Sequence, residues 1–222
     1  MMSDRTGDLL ICEDVMLLLL DDHKGTLLGA WSRWMIAGAA LMDLDALGRM
    51  RPSTPGEFRG RRERLVLQST DSTDSSILDP VLMRLANRDN WRPEMAINQI
   101  QRRLLATVGD ELTVRGMVRT ETRTVFGLKR WPVIDDRRKS AARSVLGEVL
   151  IDGVEPDPHT TAVIAALWAG GQAHRIVLRE RRLPARSARA AVRRRAEHIA
   201  RSHWLARPTQ RAIQGQQAAA SS

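Results

Sequence analysis

A mostly α-helical fold with one apolar-tipped β-hairpin is what three features of this 222-residue chain predict. Aromatics make up only 4 %, with two Phe and no Tyr, so the core must come from Leu, Ala, Val, Ile and Met. That composition suits helices packed on helices better than sheets, which recruit more aromatic and β-branched side chains. Two segments, 9–20 and 159–168, are too densely apolar for surface helices. Residues 118–134 alternate as paired strands should, around a Phe126-Gly127-Leu128 turn.

In chain order, residues 1–8 read as a tail and LLICEDVMLLLL as a buried helix closed by turn residues Asp21 to Gly25. Residues 31–47 form a second helix whose Ala37, Gly38, Ala39 and Ala40 permit close approach, with Gly48 as its C-terminal cap. Two short extended pieces follow around a Pro/Gly-rich turn. STDSTDSS then supplies N-caps for a helix starting near Ile77. Glu94 to Val108 reads as helix, with a turn or irregularity at Gly109-Asp110 before Glu111 to Val114. After the hairpin, Asp135-Asp136 opens a helix through Ile151. Asp157 caps, and Pro158 begins, the apolar helix from His159 to Trp168. One or two basic helices broken at Pro184 complete a domain over 9–214, and residues 215–222 read as a disordered tail.

A single cysteine, Cys12, rules out an internal disulfide framework and a Cys-cluster metal site, and suits a reducing cytoplasm. The longest uncharged apolar stretch, Thr160 to Ala173, is short of the ~20 residues a spanning helix needs. Asp4, Arg5 and Asp8 stand where a secretory signal would need a basic start and an unbroken apolar run. The net charge of +9 is uneven: Arg175 to Arg211 holds twelve Arg against two Glu, leaving the rest near neutral. Such a basic region points to an anionic partner, or simply to a solvated helix face.

Signatures of catalysis are missing: no G-x-S-x-G, H-E-x-x-H, Walker A or G-x-G-x-x-G. His198 and His203 are five apart and turn to different helix faces, His159 reads as a surface residue, and Cys12 as a small core residue. No enzyme activity, metal or cofactor is expected. The hairpin is more informative. Val125, Phe126 and Leu128 form an apolar tip, with Lys129, Arg130 and Trp131 beside it, the pattern of a shallow anchor at an anionic bilayer surface. Burying each apolar side chain is worth roughly 1.5–3 kcal/mol, so one hairpin is a reversible anchor that needs a second signal. The same tip could instead be a subunit contact in a homo-oligomeric scaffold. A winged-helix reading, with Glu94 to Val108 as recognition helix, keeps DNA binding as an alternative. That helix, apart from Arg102 and Arg103, is too apolar to suit it, so nucleic acid ranks second.

The order of LLICEDVMLLLLDDHKG, AALMDLDALGRM, DSSILDPVLMRL, LTVRGMVRTETRTVFGLKRWPVID and VEPDPHTTAVIAALWAGG resembles the Golgi phosphoprotein 3 family, in the form of a short bacterial relative, over residues 9–214. The resemblance implies a mostly α-helical fold, a helical bundle surrounded by amphipathic helices with one protruding apolar β-hairpin, in a peripheral membrane protein. It also implies phosphatidylinositol 4-phosphate as ligand, and membrane-protein clients held by their cytosolic tails. In that family the headgroup pocket uses a loop Trp, an Arg on the second helix and two Arg on the helix before the hairpin. Ungapped counting from Gly48 puts Leu28 and Ala37 at the first two positions, so Trp31 fills the Trp role only across a gap. Counting back from Gly116 puts Arg102 at the third position and Leu105 at the fourth, with Arg103 about 100° around the helix from Arg102. Trp31, Arg102 and Arg103 are therefore the expected headgroup residues of an incomplete pocket.

Overall fold

The computed structural model describes residues 9–58, 63–88, 90–123, 128–181 and 185–221. Its first helix, α1 (Ile11–Leu19), is buried on every side, Glu13 and Asp14 included, as its Leu-rich sequence favours. Around it pack α2 (Ser32–Ala46), α4 (Pro93–Val114), α5 (Arg137–Gly147) and α6 (Pro158–Ala169). The short α3 (Leu78–Ala86) lies against α2 and α4, while α7 (Ala173–Arg181), α8 (Ala185–Ala200) and α9 (Ala206–Ala220) complete the shell. The expected mostly helical architecture holds: the only sheets among the described residues are two-stranded and antiparallel.

Local chemistry explains most boundaries. Gly48 takes φ +66°, the left-handed conformation that ends α2. The small residues of α2 do permit close packing, because a Cβ at Gly38 would overlap the Thr209 side chain of α9. Ser75 Oγ accepts from the N–H of Ile77 and Leu78 where α3 begins. Asp157 Oδ1 accepts from Thr160 N–H at 2.9 Å, with Pro158 as the first residue of α6. Strands β1 (Met50–Pro52) and β2 (Leu65–Leu67) are the two extended pieces, paired Met50 to Leu67.

Three expectations are corrected. Helix α4 runs unbroken through Gly109 and Asp110 to Val114. Helix propensity alone disfavours Gly there, but its missing side chain makes room for a tertiary neighbour described below. The segment read as a helix from Asp135 through Ile151 becomes helical only at Arg137, and its last turn widens into a π-helical turn (Glu148–Asp152) that stops at Gly153. Residues 215–220 are not a disordered tail: Gln and Ala are strong helix formers, and α9 continues to Ala220.

Candidate functional site

The hairpin comprises β3 (Glu121–Arg123) and β4 (Leu128–Arg130), in register Glu121 to Arg130 and Arg123 to Leu128, with a Val118–Val133 bridge beneath. Val125 and Phe126, at the expected tip, lie outside the described residues. Leu128 pairs with Arg123 in the ladder.

The base of the hairpin is clamped to the body. Trp131 N–H donates to the Gly25 carbonyl at 2.8 Å, tying β4 to the α1–α2 connection. Lys129 Nζ lies 3.0 Å from Asp110 Oδ1 of α4, and Thr120 Oγ1 is 2.9 Å from Thr113 Oγ1. Trp131 is the main correction here. Its side chain is 5 % exposed and packs against Gly109, where any Cβ would overlap the indole. It is part of the core and not of a bilayer-facing surface. Lys129 is exposed, but its charge is engaged by Asp110. Arg130 is half-buried.

Helical phase relates this clamp to the two arginines expected at a headgroup site. Residues seven apart on an α-helix lie within about 20° of the same face and ~10 Å apart along the axis. Arg102 is seven residues before Gly109 and Arg103 seven before Asp110, so both arginines share the face of α4 that carries the hairpin. Both are exposed and line a cleft of about 600 Å³. The opposite wall comes from Ile77, Pro80, Val81 and Arg84 of the α3 segment, and Gln216 of α9 closes one end. No acidic side chain lines the cleft, and neither Arg102 nor Arg103 has a carboxylate partner among the described residues. The cleft can therefore accept an anion without first breaking an ion pair.

Trp31 is not part of this lining. It precedes α2, is half-buried and meets Trp34 edge-to-face at 5.4 Å between ring centroids. Trp34 Nε1 in turn donates to Asn98 Oδ1 at 2.8 Å, and Asn98 does line the cleft. Trp31 thus stands one residue removed from it. Ala37 is wholly buried in α2, so its position offers no cation to a ligand. Arg84, Asn98 and Gln216 escaped sequence reasoning. Asn98 carries a local signal, being four residues before Arg102 on one face, whereas Arg84 and Gln216 arrive from other helices.

A second polar cluster was also missed. Asp14, 3 % exposed in the first turn of α1, accepts both Arg138 Nε at 2.9 Å and Arg138 Nη2 at 2.6 Å. His159 Nε2 lies 2.8 Å from the same carboxylate, which raises the imidazole pKa above its ordinary value against the opposing effect of burial. His159 is therefore a half-buried partner of α1, not a free surface residue. Glu13, fully buried beside it, caps the helix by accepting Leu10 N–H at 2.8 Å and pairs with Arg115 at 3.2 Å. These contacts hold α1 to α4, α5 and α6. No group of three or more metal-ligating side chains occurs among the described residues.

No helix among the described residues is long and apolar enough to cross a membrane. No curated protein matches the chain. The family model for Golgi phosphoprotein 3 (GPP34), however, matches residues 11–216, and with nearly the whole fold included in that match the chain belongs to the Golgi phosphoprotein 3 family.

Proposed function

We propose that this protein is a non-enzymatic peripheral membrane protein of the cytoplasmic side. It binds anionic bilayers, with phosphatidylinositol 4-phosphate the ligand that family membership favours, and presents membrane-protein clients to that surface. One observation carries the reading: Arg102 and Arg103, without a carboxylate partner among the described residues, line a cleft with no acid among its described lining residues, on the hairpin-bearing face of α4. A headgroup phosphate in the cleft would meet up to three guanidiniums, those of Arg84, Arg102 and Arg103. The apolar hairpin sequence Val125, Phe126 and Leu128 would enter the acyl boundary nearby. Exposed Val114, the last residue of α4, and exposed Ile134, next to the Val118–Val133 bridge at the hairpin base, add apolar surface.

The two contacts are individually weak and suit each other. The tip is a reversible anchor, and each cation near an anionic surface adds about 1 kcal/mol. Joined on one rigid helix face they act in tandem, so the apparent affinity exceeds either alone. The winged-helix alternative is weakened because α4 packs against α1, α2, α3 and α9 rather than standing free as a recognition helix.

Co-sedimentation with phosphatidylcholine vesicles, with and without phosphatidylinositol 4-phosphate, tests the reading. Wild type should bind the phosphoinositide vesicles preferentially, and both Phe126→Asp/Leu128→Asp and Arg102→Glu/Arg103→Glu should weaken that binding. Equal binding by all three proteins, or dissociation of an oligomer by the tip variant with no change on vesicles, would refute it.

A further inference from the structure

The C-terminal helices enclose a second cleft that the hairpin face does not explain. It measures about 630 Å³ and opens between the end of α6, the start of α7, and the facing sides of α8 and α9. Arg193 and Arg194 of α8, Arg207 of α9 and His174 of α7 bring the charge. Gln210, Gln214 and Gln217 of α9 bring neutral donors, and Trp168 an aromatic surface. All three arginines are exposed, and none has a carboxylate partner among the described residues. The one acid among the described lining residues, Glu197, is already taken by Arg201 at 2.6 Å.

Backbone geometry strengthens the same site. The Gly170-Gly171 turn leads into α7, whose first N–H groups, Ala173 and His174, have no backbone acceptor among the described residues. Ala173 and His174 both line the cleft, so the positive end of a nine-residue helix adds to the three guanidiniums. The lining between the charges is small, with Ala169, Gly171, Ala190 and Ala196 leaving room for a ligand larger than one phosphate.

We propose that this cleft binds a multiply charged, phosphate-bearing anion of small-molecule size, held by Arg193, Arg194 and Arg207 with His174 at its edge. The site is separate from Arg102 and Arg103 and does not depend on the membrane reading. Burial first, and neighbouring cations after it, account for the state of His174 without ligand. Desolvation, followed by Arg193 and Arg189 of α8 and Arg175 of its own helix, holds its pKa below the ordinary value. Of the described residues lining the cleft, Glu197 alone is acidic, and Arg201 neutralises that charge. A bound polyanion would cancel the repulsion and raise the imidazole pKa.

The experiment uses the full chain with two soluble probes, pyrophosphate and inositol hexakisphosphate, measured by titration calorimetry at constant ionic strength. Vesicles with and without phosphoinositide form a parallel arm. Saturable binding of a soluble probe is expected, weakened about tenfold in Arg193→Lys/Arg194→Lys because the lysines keep charge but lose the paired N–H forks. In the Arg102→Glu/Arg103→Glu background, where the hairpin-face cleft is disabled, a saturable site for the soluble probe should remain and should still weaken on Arg193→Lys/Arg194→Lys, which separates the two sites. The His174 ring resonances should titrate at higher pH with the probe present, an effect missing in His174→Gln spectra. Binding confined to vesicles but still lost in the Arg193/Arg194 variant would assign the same chemistry to a lipid headgroup. Absence of binding in both arms, or binding unmoved by the lysine substitutions, overturns the proposal.

Discussion

The indole of Trp131 rests on the helix backbone at Gly109, so the base of the hairpin and the middle of α4 meet with no side chain between them. Gly109 has ordinary helical geometry, so its requirement is one of space and not of backbone angle.

Gly109→Ala should therefore destabilise the protein even though Ala is the better helix former. The gain in propensity is about 1 kcal/mol, whereas overpacking against a buried ring costs about 1–3 kcal/mol. Urea denaturation is expected to show a net loss, and Trp131→Ala in the same chain should remove most of the further cost of the Gly109 change. Additive losses in the double variant would show that the two residues do not share this contact.

The pairing of His159 with Asp14 gives stability a pH dependence of definite sign. Because the folded-state pKa of His159 is raised, its contribution is fully present below about 6.5 and is lost as pH rises through the folded value. Asp43, whose carboxylate accepts the N–H of Ile11 at 2.7 Å and of Cys12 at 3.0 Å, is nonetheless pushed up to about 7 by burial. Its slope has the same sign but lies lower, between the ordinary carboxylate value and 7. Chemical denaturation from pH 5 to 9 should show stability falling across the range in wild type. In His159→Gln the fall above pH 7 should be absent while that below 7 persists.

Lys139 is fully buried, donating to the Leu20 carbonyl at 2.6 Å and to Asp22 Oδ1 at 2.6 Å. Truncation to Ala strands that carbonyl and leaves a cavity, while Asp22 keeps Arg143 at 3.0 Å. A loss of roughly 2–4 kcal/mol is expected, within the range for breaking a buried charged contact. Thermal or urea unfolding of Lys139→Ala measures it, and a loss under 1 kcal/mol would contradict the structural role.

Membrane recruitment should depend on salt in a way that divides the hairpin from the cleft. Raising ionic strength from 50 to 300 mM should weaken wild-type vesicle binding severalfold, since cation–lipid attraction is screened beyond the Debye length. The Arg102→Glu/Arg103→Glu protein should bind weakly at all salt concentrations. Phe126→Asp/Leu128→Asp should keep a salt-dependent residue of binding carried by the arginines. Flotation assays over a salt series distinguish these profiles.

Local sequence made a large part of the fold legible. The crowding of Leu in α1, the small residues of α2, the Asp157-Pro158 start of α6 and the alternation of the hairpin each constrain only a few consecutive residues. Of the candidate site, Arg102 and Arg103 were legible because both sit on one predictable helix. Trp31 was misplaced for the opposite reason: whether a ring before α2 turns into a cleft or onto Trp34 depends on packing. Trp131 was read as interfacial because Trp beside cations is the usual sign of a bilayer boundary, a sign that cannot register a distant Gly109.

What the sequence determined by itself was therefore the helical class, several caps, the presence of the hairpin and the charged arc near the C-terminus, while the pairing of Leu128, expected in the turn, with Arg123 came only with the structure. Only the tertiary structure decided which polar groups are buried. Asp14 meets His159 across 145 positions, Arg211 meets Glu94 across 117, and Trp204 Nε1 meets Asp45 across 159. Periodicity and capping act over one or two turns, whereas desolvation of a charge depends on every helix packed around it. Pairings over such separations arise only when the helices close on a common core.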